Sequence, residues 1–327
     1  MKTAIGKAAL NLTRLIWGHP ANRGRRVRAV SLFVGWQFYK RLLRRPIDVT
    51  ERGGLRFKCY PDSQDAGRMI CFNRLPDPAE MTFIERYLRP GDGFIDAGAN
   101  VGIYTLFAAQ LVGPSGSVIA FEPDPGAADR LRENVDRNGQ TWVTIKQCAV
   151  SDSDSVAAFT AGADTGNRFV SLAKSVGPSQ QVRTVTLDRE LGGAKFSMGK
   201  MDVEGAELWA LQGAERLVKA GTPPVWQLEL IDRTLSRCGS SVSEVQKWLA
   251  DRGYELWSFD LSTGKLNPWM HRPRKPGHVG DALAIARSAL SVVRSRLEDA
   301  ASWHSPDLKR RHLRNSPVAR FTKKSIP

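Results

Sequence analysis

The stretch of sequence that most constrains the fold is a short apolar run followed by a glycine-containing turn, FIDAGANVG at residues 94–102. The apolar run predicts a buried strand, and the glycines predict a tight turn that leads into a helix. In α/β proteins such a strand–turn–helix unit brings backbone amides close to a nucleotide-like ligand. Gly98 would allow the close approach, and Gly102 would let the helix start near the sheet.

Strand and helix patterns alternate after this turn, which is typical of a parallel sheet with crossover helices. β-prone pieces separated by Gly, Ser, Pro and Asp interrupt the alternation at residues 155–187, where we expect an antiparallel insertion after the third strand. The expected fold is α/β and Rossmann-like, a mostly parallel seven-stranded sheet with helices on both faces and a helical N-terminal extension. The predicted strands are 94–97, 117–122, 144–150, 200–203, 224–230, 254–259 and 282–286.

The positive charge of the chain is concentrated at its two ends. The formal net charge is +15, of which residues 1–47 contribute +11, residues 48–290 contribute −2 and residues 291–327 contribute +6. We therefore expect a basic helical extension with short strands at 1–77, a catalytic domain at 78–290 and a basic, mobile tail at 291–327. The near-neutral central part argues against a phosphate-tracking surface, so no nucleic-acid partner is expected.

Residues 1–45 predict one or two basic amphipathic helices. Such helices either pack on the domain as a cap or lie on an anionic membrane surface, and both alternatives stay open. The apolar stretch at 29–38 is too short for the ~20 residues that span a bilayer, and no secretion signal is indicated. The expected location is cytoplasmic, with peripheral contact to the inner membrane face as a further expectation. The aromatic residues available for insertion are Trp17, Phe33, Trp36 and Phe38.

Acidic residues at the ends of the first three strands point to a cofactor. The turn lacks the G-x-G-x-x-G spacing and has an acid, Asp96, two residues before its first glycine. An acid at this place favours S-adenosylmethionine over a dinucleotide, because the methionine part carries an ammonium where a dinucleotide carries a pyrophosphate. Glu122 ends the second strand, where it can accept hydrogen bonds from ribose hydroxyls. Asp152 can reach an adenine amino group or be an ordinary turn residue. The expected cofactor-binding residues are Asp96, Gly98, Asn100, Gly102, Glu122 and Asp152.

Together these motifs resemble the FkbM-type methyltransferases over roughly residues 80–260. The resemblance rests on PGD at 90–92, the turn at 96–102, FEP at 121–123, AVSD at 149–152, TLD at 186–188, KMDVEGAE at 200–207 and Glu229. The DVEGAE segment is the most specific, and Met201 departs from the isoleucine that is usual in the family. The resemblance implies a class I methyltransferase fold, S-adenosylmethionine as cofactor, and O-methylation of a sugar, a glycan or a secondary metabolite.

Three carboxylates are the candidate catalytic residues. Asp202 and Glu204 follow the fourth strand and Glu229 ends the fifth, on the edge where such sheets bind ligands. They are expected to form a general base with its orienting partners, while ligation of a divalent cation is the alternative. Glu207 is expected to cap a helix instead.

Histidine and cationic side chains are weaker candidates. His271 and His278 lie in a loop that could overhang the active edge, but a solvated position is favoured for both. Arg168, Lys195 and Lys200 could bind an anionic acceptor or be solvated.

Two other functions compete with O-methylation. The basic termini leave open a nucleic-acid methyltransferase, although no base-flipping motif is present. The other is a non-catalytic, membrane-associated protein of the same fold, against which the complete set of acids at the sheet edge argues. Nothing in the sequence indicates the oligomeric state.

Overall fold

The computed structural model describes residues 16–18, 22, 24, 26–50, 52–63, 77–160, 169, 179–271 and 281–303. The chain divides into two compact units, one of Met1–Pro78 with Ser302–Pro327 and one of Ala79–Ala301. The expected tail after residue 303 and the loop that holds His278 lie outside the described residues. None of the described helices combines the length and apolar character that crossing a membrane requires.

The smaller unit contains a long helix and a hairpin. These elements are α1 (Arg26–Leu42), β1 (Ile47–Thr50) and β2 (Arg56–Cys59), the two strands being antiparallel. Gly53 takes φ 76° in the turn between the strands, a conformation that favours glycine. Ile16 and Ala29 form a small apolar core, against which Phe33 packs. The helical N-terminal extension expected from the sequence is present.

The larger unit is built of strands and helices that alternate along the chain. Its strands are β3 (Gly93–Ala97), β4 (Ser117–Phe121), β5 (Val143–Lys146), β6 (Ala149–Val150), β7 (Ser155–Thr160), β8 (Ser179–Val185), β9 (Met198–Met201), β10 (Val225–Glu229), β11 (Tyr254–Asp260), β12 (Lys265–Pro268) and β13 (Asp281–Ala286). Its helices are α2 (Pro78–Tyr87), α3 (Ile103–Val112), α4 (Pro125–Asn138), α5 (Leu187–Glu190), α6 (Glu207–Gln212), α7 (Glu215–Lys219), α8 (Asp232–Leu235), α9 (Val242–Ala250) and α10 (Leu290–Trp303).

Among the described residues, eight strands form the main sheet, in the order β12-β11-β13-β10-β9-β3-β4-β5. The five strands from β10 to β5 are parallel, whereas β13, β11 and β12 are joined by antiparallel pairs. Seven strands were expected, and β12 is the additional one. It is a short, largely exposed strand without an apolar run, so its sequence carries no strand pattern.

The third predicted strand is divided in two, which corrects the expectation for 144–150. β5 belongs to the main sheet, and the amide of Cys148 then donates to the carbonyl oxygen of Lys146 in a tight turn at 3.0 Å. β6 pairs in parallel with β8, and β8 pairs antiparallel with β7. β7 and β8 form the antiparallel insertion that was expected after the third strand, and β6 adds a parallel pair that was not predicted.

Helix α4 shows how the sequence sets an element's bounds. Asp124 precedes it with extended backbone, and its side chain accepts from the amide of Ala127 at 2.9 Å. Pro125 occupies the first turn, where its missing amide costs nothing. Gly139 ends the helix in the left-handed conformation at φ 62°.

The larger unit continues beyond residue 290, where the sequence analysis placed the end of the catalytic domain. In α10 the side chains of Val293 and Leu297 are buried. The guanidinium of Arg296 lies 2.6 Å from Asp92 Oδ2 at the start of the sheet. The first part of the segment expected to be a tail is therefore a packed helix of this unit, which extends to Ala301.

Candidate active site

The turn after β3 is held against the ends of two neighbouring strands. The amides of Gly98 and Ala99 both donate to the carbonyl oxygen of Phe121 at the end of β4, each at 3.0 Å. Gly98 has φ 83°, and a Cβ there would lie 2.0 Å from the carbonyl oxygen of Asp202. Only glycine fits, because this turn passes directly against the turn after β9.

Gly102 serves the packing of two helices. It precedes α3 with φ 95°, and a Cβ would lie 2.4 Å from Leu131 Cδ1 and 2.8 Å from Leu106 Cδ1. Leu131 belongs to α4 and Leu106 to α3. The close contacts of this position are therefore with helix side chains.

Asp96 lies in β3 with its side chain fully buried. Its Oδ2 accepts from the hydroxyl of Thr105 at 2.6 Å, and its Oδ1 has no hydrogen-bond partner among the described residues. Burial raises the pKa of Asp96, while the Lys200 ammonium and the Thr105 hydroxyl oppose the rise. A buried carboxylate oxygen without a donor is unfavourable by itself, so Oδ1 is a natural contact for a cationic or donor group of a ligand.

Glu122 directly follows β4 and is almost fully buried. Its Oε2 accepts from the amide of Asn100 at 2.7 Å and its Oε1 from the amide of Asp124 at 2.8 Å. Burial raises the pKa of Glu122 to about 7, although both amides favour the ionised form. Each oxygen keeps a second lone pair, so the carboxylate can still accept from the hydroxyls of a bound ribose.

Asn100 brings the first two strand ends together. It has φ 49°, a left-handed conformation that asparagine tolerates better than most residues. Its amide binds Glu122, and its side-chain Oδ1 is buried without a hydrogen-bond partner in the described part of the chain. Two unsatisfied oxygens, Asp96 Oδ1 at the end of β3 and Asn100 Oδ1 in the turn that follows, thus belong to residues four positions apart.

Asp152 lies in a different environment from the other cofactor candidates. It is exposed, and its Oδ1 accepts from the hydroxyls of Ser151 at 3.3 Å and Ser153 at 3.0 Å. It follows β6, which belongs to the small sheet, so the strand that precedes it is not part of the main sheet. These contacts are those of a turn residue, and a contact with adenine remains a prediction.

Lys200 lies between Asp96 at the end of β3 and Asp202 after β9. It lies in β9, its side chain is buried, and its Nζ donates to Asp202 Oδ2 at 3.1 Å and lies 4.7 Å from the centre of the Tyr104 ring. Burial lowers the pKa of Lys200, but the carboxylates of Asp202 and Asp96 outweigh burial, and the net change is upward. Lys200 was expected either to bind an anionic acceptor or to be solvated. Its buried ammonium is instead paired with Asp202, so neither expectation is met.

The turn after β9 carries Glu204 and Glu207 in different settings. Glu204 has φ 56° and Gly205 φ 110°, so two successive left-handed residues reverse the chain. Glu204 Oε2 lies 3.8 Å from Arg237 Nη1. Glu207 is fully buried at the first position of α6, where its Oε1 accepts from the amides of Val203 at 3.1 Å and Gly205 at 3.3 Å.

Glu207 therefore shapes the loop that presents the candidate catalytic acids. Burial, followed by smaller effects of the nearby Asp202 and Glu229 carboxylates, raises its pKa to about 8, although hydrogen bonds from backbone amides oppose the rise. β9 and β10 are adjacent parallel strands with Met201 opposite Leu228, so the acids that come next, Asp202 and Glu229, occupy neighbouring positions on the sheet edge. These contacts differ from the expected helix cap, because Glu207 accepts from amides of the turn that precedes α6.

Glu229 ends β10, half-buried, with Asp281 of β13 directly opposite it. Beyond it, His271 Nε2 lies 3.0 Å from Asp232 Oδ2, and the ring of His271 stacks on that of Trp269 at 6.0 Å. The indole of Trp269 donates to the carbonyl oxygen of Asp281 at 3.1 Å. His271 is thus tied to the end of the strand that carries Glu229, more closely than its position in a loop suggested.

The other two cations considered for binding an anionic acceptor are Lys195 and Arg168. Lys195 is exposed and lines a cavity of about 840 Å³ together with Gly93 and Pro224. Those two residues lie at the amino ends of β3 and β10, so Lys195 is remote from the carboxyl edge. Arg168 lies outside the described residues. Within the described part of the chain, no three His, Cys, Asp or Glu side chains are arranged to hold a metal ion.

The strand order of the main sheet and the acids at its carboxyl edge define a Rossmann-like, class I methyltransferase fold. Residues 96–256 match the family described as Methyltransferase FkbM domain. This match covers 161 of the 327 residues, from β3 to β11.

Named relatives agree with this assignment over shorter stretches. The chain is 45% identical over 73 residues to the 31-O-demethyl-FK506 methyltransferase FkbM of Streptomyces tacrolimicus, covering 22% of this chain and 27% of that protein. It is 33% identical over 122 residues to the hexuronic acid methyltransferase AglP of Haloferax volcanii, covering 36% and 48%. It is 45% identical over 65 residues to a ribosomal protein L11 methyltransferase of Geobacillus kaustophilus, covering 20% of each. The chain spans less than half the length of each of these three relatives.

The cofactor of this domain is S-adenosylmethionine, and the residues at the site fit it. The unsatisfied oxygens of Asp96 and Asn100 suit the ammonium of an amino acid. The carboxylate of Glu122 suits a ribose diol. Acids outnumber cations at the turn, so this set of groups does not favour the pyrophosphate of a dinucleotide.

Proposed function

We propose that this protein is an S-adenosylmethionine-dependent methyltransferase that methylates a hydroxyl of a sugar, a glycan or another small secondary metabolite. The observation that carries the proposal is the division of acids along one sheet edge, with buried acids at the ends of β3 and β4 and accessible acids at the ends of β9 and β10. The names of two relatives, a demethyl-FK506 methyltransferase and a hexuronic acid methyltransferase, support a small acceptor.

The cofactor would supply a methyl group on a sulfonium, and the protein would hold the acceptor oxygen in line with it. Positioning of this kind can lower a barrier by ~7–11 kcal/mol. An aliphatic hydroxyl must also lose its proton, for which a positioned base adds roughly 10²–10⁴-fold. We assign that work to Asp202, Glu204 and Glu229.

The three acids differ in their suitability as the base. Asp202 is held in an ion pair by the Lys200 ammonium, 3.1 Å away. Glu204 faces Arg237 at 3.8 Å. Glu229, at the end of β10 and coupled to Glu207, is the best placed to take the proton, and the other two acids would orient the acceptor.

The test is methyl transfer from S-adenosylmethionine labelled in its methyl group to a panel of purified acceptors, with the product identified by mass spectrometry. The panel contains hexuronic acids, their oligosaccharides and a macrolide carrying free hydroxyls. We expect label in a hydroxyl-bearing small molecule, and none with Glu122→Ala. Label found only in RNA or in a ribosomal protein would contradict a small-molecule acceptor.

The proposal includes a cytoplasmic location. It is supported by Cys148 and Cys238, which are not joined in disulfides, as expected in a reducing compartment. Cell fractionation with an antibody to the native chain tests it. Recovery in an extracellular fraction would contradict it.

A further inference from the structure

Helix α1 carries a row of exposed apolar side chains, called here the apolar stripe. Its members are Val27, Val34, Phe38 and Leu42, with exposed fractions of 70%, 45%, 65% and 77%. They are separated by seven, four and four residues, a spacing that places them along one face of an α-helix. The opposite face holds Ala29 and Trp36, both buried. A row of exposed apolar groups of this length marks a surface that contacts something else.

Cations border the apolar stripe at both ends. Arg28 is exposed beside Val27, and Arg41, Arg44 and Arg45 are exposed around Leu42. No acidic residue precedes Asp48 in the sequence. Near an anionic bilayer each such cation strengthens binding by about fivefold, and the effect decays within a Debye length.

We propose that α1 is an interfacial helix that lies on an anionic phospholipid membrane, with the apolar stripe toward the acyl chains and the flanking arginines among the headgroups. At 17 residues and about 25 Å it matches helices that lie in the interface plane, and it is too polar to cross the bilayer. This role is independent of the acceptor and of methyl transfer, so it stands or falls separately from the proposed function.

The structure changes which aromatic residues can insert. Trp36 is buried, and Phe33 packs against the Ile16 and Ala29 core. Phe38 is the aromatic residue of the apolar stripe. Trp17 is exposed, but the Arg26 guanidinium lies 5.8 Å from the centre of its ring. Membrane contact therefore rests on aliphatic residues and Phe38 more than on the four aromatic residues that the sequence suggested.

The charge of α1 argues against a second copy of the chain as the partner that covers the apolar stripe. Two copies that paired through the apolar stripe would bring their arginines close together, and α1 contains no acid to offset them. Such like-charge contacts in an interface oppose association. An anionic surface relieves the same repulsion, which makes a membrane the better partner.

The test is cosedimentation of the full-length protein with vesicles of phosphatidylcholine containing about 30% phosphatidylglycerol, at low and high salt. The stripe variant is Val34→Ser, Phe38→Ser and Leu42→Ser combined. Its matched control changes three exposed apolar residues of the larger unit, Val156→Ser, Leu261→Ser and Val292→Ser. A charge variant, Arg41→Gln, Arg44→Gln and Arg45→Gln, is matched by Arg132→Gln, Arg183→Gln and Arg189→Gln. Circular dichroism and binding of S-adenosylhomocysteine verify that each variant folds.

We expect the wild type and both controls to pellet at low salt and to be released at high salt. The charge variant should bind about 100-fold more weakly, since three cations at fivefold each give a factor of this size. The stripe variant should bind at least about 100-fold more weakly, because it loses three apolar side chains that would enter the bilayer. Absence of wild-type pelleting at low salt would overturn the proposal, as would equal pelleting of the stripe variant. A wild-type dimer that the stripe variant converts to a monomer, without vesicle binding, would assign the surface to self-association instead.

Discussion

The two halves of the carboxyl edge carry the same chemical group in opposite settings. At the ends of β3 and β4, Asp96 and Glu122 are buried, and Glu122 binds two backbone amides. At the ends of β9 and β10, Asp202 and Glu229 are partly exposed. A fixed, buried acid is suited to holding a ligand of constant shape, whereas an accessible acid can exchange protons with solvent between turnovers.

Lys200 lies where the two halves meet, and it is ion-paired to the accessible half. It donates to Asp202 and also lowers the pKa of Asp96 against the effect of burial. The comparison therefore teaches that the halves are not electrically independent. A change on the acceptor side can alter the protonation of the cofactor side through this one ammonium.

The largest expected effect is on turnover at the accessible half. Glu229→Gln should lower turnover by about 10²–10⁴-fold, the contribution of a positioned base, while affinity for S-adenosylhomocysteine stays within about threefold. Asp202→Asn should cost less, about tenfold, because Asp202 is ion-paired to Lys200 and is assigned to orienting the acceptor. Steady-state kinetics on the acceptor that the labelling experiment identifies, with calorimetry for the cofactor product, measures both.

His271→Gln is the control for this assignment. If turnover fell with His271→Gln and not with Glu229→Gln, the pair of His271 and Asp232 would be the base and the accessible carboxylates would not. Activity that requires added magnesium and disappears with a chelator would assign the acids to a metal instead. Loss of cofactor binding in Glu229→Gln would move Glu229 into the cofactor half.

The second effect is on cofactor affinity at the buried half. Glu122→Ala should weaken binding of S-adenosylhomocysteine by at least about 100-fold, the loss expected for charge-assisted hydrogen bonds to two hydroxyls. It also leaves the amides of Asn100 and Asp124 without their acceptor, so we expect a lower free energy of unfolding. Glu122→Gln keeps an acceptor oxygen and should retain the fold with the same loss of affinity. Asp129→Ala, an exposed acid of α4, is the matched control, and calorimetry that finds wild-type affinity in Glu122→Gln would remove Glu122 from the site.

The third effect is on the pH dependence of cofactor affinity, which tests whether Lys200 couples the two halves of the edge. Protonation of Asp96 removes its attraction for the cofactor's ammonium, so affinity should fall as pH falls through the pKa of Asp96. Lys200→Met removes the cation that opposes the effect of burial, which should move the midpoint of this fall upward by about 1–3 pH units. Calorimetric titrations of S-adenosylhomocysteine from about pH 5 to pH 7.5, where its amino group stays protonated, measure the midpoint.

Methylthioadenosine, which has the ribose but no amino-acid part, separates Asp96 from Glu122. Its affinity should report the titration of Glu122, with a pKa of about 7, equally in both proteins. The groups facing Asp96 and Lys200 are Asp202, Asp281, Thr105 and Tyr104. Lys200→Arg keeps the charge and should restore the wild-type midpoint. An unchanged midpoint in Lys200→Met would mean that the ion pair is only structural.

Local patterns predicted the secondary structure around the turn after β3. The run FIDAGANVG specifies a buried strand and a turn by itself, and β3 and α3 follow from it. The parallel part of the main sheet was predicted because its strands contain apolar residues and alternate with helix patterns along the chain. Burial of Lys200 could not be predicted, because it depends on Asp96 and Tyr104 from another part of the chain. A lysine between apolar residues in a central strand is the signal that could have indicated it.

Elements at the margins were harder to predict, since tertiary contacts define them. β12 has no apolar pattern and exists because β11 offers a free edge. The break between β5 and β6 depends on pairing with β8, a strand about thirty residues later. The packing of α10 depends on an ion pair between Arg296 and Asp92, which are far apart in the sequence.

The smallest expected effect concerns Asp152, which the sequence grouped with the buried acids and the structure places in an exposed turn. Its carboxylate accepts from the hydroxyls of Ser151 and Ser153, contacts that water can replace. We therefore expect Asp152→Ala to weaken binding of S-adenosylhomocysteine by less than about threefold and to change stability by at most about 0.5 kcal/mol, as is usual for surface substitutions. Calorimetry with S-adenosylhomocysteine and with the inosine analogue, which lacks the adenine amino group, measures the effect. A tenfold loss for the adenine compound alone in Asp152→Ala would show that this turn closes on the base, and the cofactor half would then include an exposed acid as well as the two buried ones.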